Sequence, residues 1–363
     1  MRDGVLRVVA HDPFPTDGHG ERLPLPADFV MGVGGATRTL LELLPPVHVG
    51  RALDVGCGSG ALTVFLDADR VIGTDIDGRA LEAAATTCYI SGFRHVEDGV
   101  WRDGDRLIEF RQGSLFSPVS GSRFDLIVSN PPFVIAGVGH THRDSPFEAD
   151  GLTRELLSAI PGLLNGGGRA IVLTSWLITE GVPWQTRLEQ WLPSAELSCW
   201  VAQREVLDLD DYVAVWGDDA AVPELERVAW RQRLEALSCT HVGFGWIVLE
   251  RSPVLWSHLE DVAGAARVPS GSEVLEQLGA FAREVSAVEM LHGRLRFRET
   301  HWRGSLALDA FSAALLERIR GGSTLGEAVE LVAAALPVDP DDLLVHGLQF
   351  VRDALRLGYL TVG

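Results

Sequence analysis

Short apolar runs alternate with amphipathic segments from residue 51 to residue 249. Seven apolar runs predict strands, at 51–55, 71–75, 107–111, 124–129, 170–174, 197–201 and 245–249. Segments with helical periodicity, such as 79–90 and 152–164, lie between them. Because strands separated by helices join through right-handed crossovers, we expect a mostly parallel sheet. The runs do not alternate with polar residues, which is typical of strands buried on both faces. The pattern predicts an α/β fold.

Residues 92–106 interrupt this alternation with glycines and acidic residues. Loops normally run over the surface and tolerate insertions, so we expect a surface loop before the third strand.

The pattern changes after residue 251. A helix is predicted at 274–285 and an isolated strand at 294–298. Three helices follow, and the sequence carries a start signal for each. These signals are Asp309, Thr324 with Glu327 as a capping box, and Asp339 before Pro340. With a last short strand at 358–362, the order resembles a winged-helix module. We therefore divide the chain into an N-terminal segment (1–50), a central domain (51–251) and a mainly helical C-terminal domain (252–363).

Composition narrows the class of protein. The chain has 363 residues, of which 46% are hydrophobic, and no run reaches the ~18 apolar residues that would span a bilayer. The first residues lack the basic-then-apolar order of a secretory signal. Four widely spaced cysteines form no CxxC pair, so neither a zinc site nor a disulfide framework is indicated. We expect a reduced, cytoplasmic protein.

The formal net charge is −19, and all 31 basic residues are arginine. Proteins that grip a nucleic-acid backbone usually present a basic face, so nucleic acid is disfavoured as a partner without being excluded. The last helix offers only Arg352 and Arg356, with Asp353 between them. We predict that the C-terminal domain does not bind DNA. We expect it to pack against the central domain, or to hold a protein or peptide partner.

A glycine-rich turn follows the first predicted strand and precedes a helix. Its residues are Asp54, Gly56, Cys57, Gly58 and Gly60. Glycines allow the backbone to turn tightly and a ligand to approach without a Cβ in the way. Asp75 ends the second strand, where a carboxylate can accept hydrogen bonds from ribose hydroxyls. A generic β–α turn and a dinucleotide site remain alternatives, although the spacing G-x-G-x-G differs from the dinucleotide pattern.

The tetrapeptide Asn130-Pro131-Pro132-Phe133 comes directly after the fourth strand. A planar NH2 group is a poor nucleophile because its lone pair is delocalised. The side-chain oxygen of Asn130 and the carbonyl of Pro131 can hold its two hydrogens and orient the nitrogen. Proline stiffens the loop, and Phe133 offers a flat face to a flat group. An ordinary Asn-Pro turn is the alternative, but open α/β sheets bind ligands at this edge.

These motifs make residues 51–176 resemble class I S-adenosylmethionine-dependent methyltransferases with an Asn-Pro-Pro-aromatic motif, which include glutamine-N5, adenine-N6 and guanine-N2 enzymes. The stretch 28–40, together with 129–135, is also similar to a little-characterised actinobacterial methyltransferase group with a C-terminal extension. The resemblance implies a Rossmann-like seven-stranded methyltransferase sheet and S-adenosyl-L-methionine as cofactor. It places Asp54 near the amino group of the cofactor. Further cofactor contacts are implied for Ile76, Ser114, Leu115 and Asn130.

The acceptor is less defined. We expect an amide or amino nitrogen of a protein, peptide or small molecule, with a nucleobase as the alternative. Pro132, His142 and Arg143 are candidate substrate contacts in and after the tetrapeptide. His140 and His142 have no third ligand at a fitting spacing, so no metal is expected. A non-catalytic protein that binds a nucleotide-like ligand is the rival hypothesis, although it would not need the intact tetrapeptide.

Overall fold

A computed structural model describes the chain except for residues 1–5, 18, 20–22, 24, 27, 136–148, 220–221, 284–289, 292–294, 298–300, 304–307, 336–339 and 363. The chain divides into two compact units, Met1–Ala263 and Gly264–Gly363. Within the described ranges, no helix is both long enough and apolar enough to cross a membrane.

A ten-stranded sheet forms the centre of the first unit. Its strands, numbered along the chain, are β1 Val49–Val55, β2 Ala68–Asp75, β3 Arg94–Glu97, β4 Val100–Asp103, β5 Arg106–Gln112, β6 Phe124–Ser129, β7 Leu164–Thr179, β8 Ser198–Asp208, β9 Cys239–Glu250 and β10 Ser257–Asp261. Their order across the sheet is β10-β8-β9-β7-β6-β1-β2-β5-β4-β3. All seven predicted strands are present, as β1, β2, β5, β6, β7, β8 and β9. The predicted α/β class and the mostly parallel sheet are confirmed.

Three further strands extend the sheet beyond the predicted seven. The strand β10 pairs parallel to β8 at one edge. At the other edge, β3 and β4 form an antiparallel hairpin that pairs with β5. The prediction of a loop at 92–106 is therefore wrong. Every residue of β3 is exposed, and Trp101 is the one buried residue of β4, so the hairpin lacks the run of buried apolar residues that marks a strand in a sequence.

Six helices accompany these strands in the described part of the first unit. They are α1 Gly35–Leu43, α2 Gly78–Ile90, α3 Gly151–Leu163, α4 Trp184–Glu189, α5 Leu209–Asp219 and α6 Glu224–Ala236. One core cluster packs α3 against the sheet through Leu156, Leu157 and Ile160, which are fully buried beside Leu53 and Ile127. These contacts fix β1 and β6 side by side.

The N-terminal segment lies along α2. The backbone N–H of Ala10 donates to the Thr87 hydroxyl at 2.9 Å. Arg79, in the first turn of α2, donates to both carboxylate oxygens of Asp12 at 2.6 and 2.7 Å. These bonds tie residues 8–12 to the helix that begins just after Asp75.

The second unit contains four described helices and a two-stranded sheet. They are α7 Gly271–Ala282, α8 Ala310–Arg320, α9 Leu325–Ala333, α10 Pro340–Arg356, β11 Leu295–Phe297 and β12 Leu360–Val362, with β11 antiparallel to β12. Asp309 caps α8, and Thr324 with Glu327 forms a capping box on α9, as predicted. Asp339 lies outside the described residues. The winged-helix assignment stays a prediction.

Candidate active site

The candidate site lies where β1, β2 and β6 end next to one another. The parallel register pairs Val55 of β1 with Thr74 of β2 and with Ser129 of β6. The Ser129 hydroxyl donates to the carbonyl of Val55 at 2.9 Å, which ties these two strand ends together. The glycine turn, Asp75 and the Asn130 tetrapeptide therefore leave the sheet from one edge. Ligands of open α/β sheets bind at this edge.

The turn after β1 depends on glycine conformations. Gly56, Gly58 and Gly60 have φ angles of +70°, +51° and +73°, in the left-handed region that side chains disfavour. A Cβ at Gly56 or Gly58 would meet nothing within 4 Å, whereas one at Gly60 would lie 3.1 Å from the Cβ of Ala84. The first two glycines thus border open space, and the third permits close packing on α2.

Asp75 joins the turn to the start of α2. Its carboxylate accepts hydrogen bonds from the backbone N–H of Gly58 at 2.8 Å and of Asp77 at 3.0 Å. Burial raises the pKa of Asp75 above its ordinary value, against these bonds, which lower it. A carboxylate has about four acceptor positions, so two bonds leave capacity for ligand hydroxyls. Asp77 caps α2 by accepting from the N–H of Arg79 at 2.9 Å.

Asp54 is fully buried at the end of β1. Its Oδ2 accepts a hydrogen bond from the Thr63 hydroxyl at 2.6 Å, while its Oδ1 has no partner among the described residues. Burial, opposed by the Thr63 bond and reinforced by Asp75, raises the pKa of Asp54 to about 7. A buried acceptor without a donor is costly. The side chain is suited to a cationic or N–H-bearing ligand group.

The remaining predicted cofactor residues have different environments. Cys57 is buried, and burial raises the pKa of its thiol well above the ordinary value, so the thiol stays protonated. Ile76 is 70% exposed beside Asp75. Ser114 is exposed, and Leu115 is half-buried with a φ of +47°. The Thr74 hydroxyl donates to the carbonyl of Leu115 at 3.3 Å, which connects this turn to the end of β2.

Asn130 begins the loop after β6. Its side-chain Oδ1 is buried and has no hydrogen-bond partner within the described ranges. Pro131 is buried, and Pro132 and Phe133 are half-buried. The ring of Phe133 packs edge-on against Trp216 and Phe244, with centroids 6.0 and 6.1 Å away. The loop therefore has an unused acceptor at its start and a packed aromatic ring at its end.

Two side chains that the sequence did not predict hold the end of this loop. The Tyr212 hydroxyl accepts a hydrogen bond from the backbone N–H of Ile135 at 2.7 Å, and the indole N–H of Trp230 donates to the Ile135 carbonyl at 2.9 Å. They come from α5 and α6, which are inserted between the paired strands β8 and β9. A third contact is made by the Ser175 hydroxyl, which donates to the Phe133 carbonyl. Only tertiary structure brings these residues to the loop.

His142 and Arg143, with His140, lie outside the described residues. In the part of the chain that is described, no group of three His, Cys, Asp or Glu side chains is placed to hold a metal ion.

Comparison with known proteins identifies the class to which this site is similar. Residues 31–180 match the family model of the methyltransferase small domain. This match confirms the resemblance to methyltransferases that the motifs indicate.

Three characterised relatives share part of this region. The chain is 33% identical over 151 residues to the release factor glutamine methyltransferase of Xylella fastidiosa, covering 38% of this chain and 50% of that protein. It is 32% identical over 150 residues to the ribosomal RNA small subunit methyltransferase C of Salmonella arizonae, covering 40% of this chain and 37% of that protein. It is 33% identical over 138 residues to the ribosomal protein uL3 glutamine methyltransferase of Bordetella pertussis, covering 34% of this chain and 43% of that protein. The chain spans half or less of the length of these relatives.

Proposed function

We propose that this chain, whose residues 31–180 match the methyltransferase small domain, is an S-adenosylmethionine-dependent N-methyltransferase. The observation that carries the proposal is a pair of buried oxygens, Asp54 Oδ1 and Asn130 Oδ1, which lie on adjacent strand ends and have no hydrogen-bond partner among the described residues. Two buried hydrogen-bond acceptors beside one glycine turn favour two hydrogen-bond donors. One donor would belong to a cofactor and the other to the molecule that receives the methyl group.

The residues at the strand ends fit S-adenosylmethionine. Asp54 would accept from its ammonium group, and the open space at Gly56 and Gly58 would let it approach the backbone. Asp75 would accept from its ribose hydroxyls, beside Ile76, while Ser114 and Leu115 would border its adenine. When bound, this cofactor supplies an electrophilic methyl group on a sulfonium.

Asn130 and Pro131 orient the acceptor. The Asn130 Oδ1 accepts one hydrogen of a planar NH2 group and the Pro131 carbonyl accepts the other. With both hydrogens held, the nitrogen would be aimed at the methyl group. As the N–C bond formed, the C–S bond of the sulfonium would break to leave a thioether, and the nitrogen would release one of its hydrogens as a proton to solvent. Catalysis then rests on positioning and on fixed dipoles. The loop itself is held in position by Tyr212, Trp230 and Ser175, which do not contact the methyl acceptor.

We propose an amide or amino nitrogen of a protein, peptide or small molecule as the acceptor. Names of relatives include two protein-glutamine methyltransferases and one ribosomal RNA methyltransferase. The net charge of −19 favours a protein acceptor over naked nucleic acid, because an acidic chain repels polyanions at long range.

The test uses cofactor labelled on its methyl group and a bacterial lysate divided into protein, RNA and metabolite fractions. We expect enzyme-dependent label in the protein or the metabolite fraction, on nitrogen after hydrolysis. Label on carbon or oxygen, or no transfer to any fraction by a chain that binds the cofactor, would overturn the N-methyltransferase assignment. Label in RNA would replace the proposed acceptor with a nucleobase.

A further inference from the structure

We propose that a row of arginines on one face of the sheet, Arg94, Arg102, Arg70 and Arg51, binds the phosphodiester backbone of RNA. The row goes beyond the proposed methyl transfer, because it lies at the opposite end of the strands from the Asn130 loop. Arg70 precedes Asp75 by five residues on β2, a separation of roughly 17 Å along the strand.

Strand register places the four arginines in line. Arg94 pairs with Arg102, and Arg102 pairs with Leu107. Leu107 pairs with Arg70, which pairs with Arg51. Paired residues on neighbouring strands project from the same face, and strands lie about 4.8 Å apart, so the row spans about 19 Å. Only Leu107 separates the cations.

The arginines of the row differ in how far they are exposed to solvent. Arg70 and Arg94 are exposed, and Arg102 and Arg51 are half-exposed. Among the described residues, none of the four makes an ion pair, whereas neighbouring Arg111 pairs with Glu109 at 2.7 Å. The guanidinium of Arg51 lies over the ring of Phe124, 5.2 Å from its centroid. Four arginines in one row, interrupted only by Leu107, stand out in a chain with a net charge of −19.

The chemistry of the row favours RNA over an acidic protein. Protein interfaces have an apolar or aromatic centre, whereas here one leucine lies among four arginines. Guanidinium groups bind phosphates through paired hydrogen bonds, and a line of cations follows a single strand of phosphates. The acidic remainder of the chain opposes RNA at long range, so binding depends on these local contacts and is sensitive to salt.

Fluorescence anisotropy of the full-length chain with a labelled, mixed-sequence single-stranded RNA of about 20 nucleotides tests the proposal between 50 and 200 mM KCl. Three to four phosphate contacts, at about 0.7 counterions each, predict a slope of log Kd against log salt of about 2 to 3. The triple variant Arg70→Gln, Arg94→Gln and Arg102→Gln should weaken binding by at least about tenfold at 50 mM and reduce the slope by about 2.

A matched control removes three exposed arginines elsewhere, through Arg233→Gln, Arg318→Gln and Arg352→Gln. It makes the same change in net charge and should leave affinity within about twofold, since screening limits distant charges. The proposal would be overturned if both triple variants lost equal RNA affinity while their melting temperatures stayed unchanged. It would also be overturned if the wild type bound no RNA at 50 mM KCl. Polyglutamate binding as tightly as RNA would do so too, and would assign the row to an acidic protein. The measurement requires no methyl transfer, so its failure leaves the proposed enzyme untouched.

Discussion

The carboxylate of Asp75 and the backbone N–H of Gly58 are joined by a hydrogen bond of 2.8 Å. This bond connects the end of β2 to the glycine turn after β1. The residue proposed to bind ribose therefore also shapes the turn that is proposed to admit the methionine part of the cofactor. Binding of the two halves of the cofactor should be coupled through it.

The substitution Asp75→Asn should weaken binding of S-adenosylmethionine at least about tenfold, because it removes a charged acceptor and turns an amide N–H toward a donor. Titration calorimetry measures the effect. The matched control is Asp77→Asn, because asparagine caps a helix as well as aspartate does, and its affinity should equal that of the wild type. An unchanged affinity in Asp75→Asn would remove Asp75 from the cofactor site.

Cofactor binding should depend on pH through Asp54, whose pKa burial raises to about 7. Only the ionised carboxylate attracts the cofactor ammonium. Affinity should therefore fall as the pH decreases from 8 to 6, approaching tenfold per unit below the pKa. Calorimetry across this range gives the profile. The variant Asp54→Asn should bind weakly at every pH with a flat profile; a slope equal to that of the wild type would assign the titration to another group.

The same carboxyl should cost the free protein stability at high pH. Its pKa is higher in the folded chain than the ~3.9 of an unfolded aspartate. The folded state thus holds the proton more tightly, and the free energy of unfolding falls as pH rises from about 4 to 7. At pH 8, without cofactor, Asp54→Asn should melt at least about 2 °C higher than the wild type. The difference should vanish near pH 4. Equal melting temperatures at pH 8 would show that Asp54 is not penalised by burial.

The substitution Tyr212→Phe tests whether the hydrogen bond from the N–H of Ile135 to the Tyr212 hydroxyl positions the Asn130 loop. The change keeps the ring but leaves the N–H of Ile135 without its acceptor, which should lower the free energy of unfolding by about 1–3 kcal/mol. Turnover should fall by about tenfold, since small displacements of positioning groups slow the reaction. Affinity for S-adenosylmethionine should be unchanged. The control is Tyr89→Phe, which removes a hydroxyl from a ring that is 70% exposed. If kcat stayed at the wild-type value, Tyr212 would have no positioning role.

The parts of the fold that could be predicted are those whose sequence pattern has one physical cause. Strands buried on both faces are marked by apolar runs, and all seven predicted runs form strands. The β3–β4 hairpin was not predicted because β3 is fully exposed and Trp101 is the one buried residue of β4, so no apolar run marks either strand. The Asp98-Gly99 pair at its turn, with Gly99 at φ +72°, was the available signal.

Some residues of the candidate site could likewise be predicted from the sequence, and others could not. Asp54, Asp75 and Asn130 directly follow or end strands, so the sequence places them at one edge. Tyr212 lies 77 residues from its partner Ile135, and Trp230 lies 95 residues away. No local pattern encodes that contact, because it depends on how α5 and α6 fold back from the β8–β9 pair.

The substitution Asn130→Ala tests the central claim most directly. Affinity for S-adenosylmethionine and transfer of its labelled methyl group are measured side by side on the wild type and the variant, with the acceptor fraction that the wild type labels. Because Asn130 orients the acceptor nitrogen, we expect cofactor affinity within about threefold of the wild type and a loss of transfer of at least about a hundredfold. Transfer at the wild-type rate by the alanine variant would contradict the assignment of this loop to catalysis.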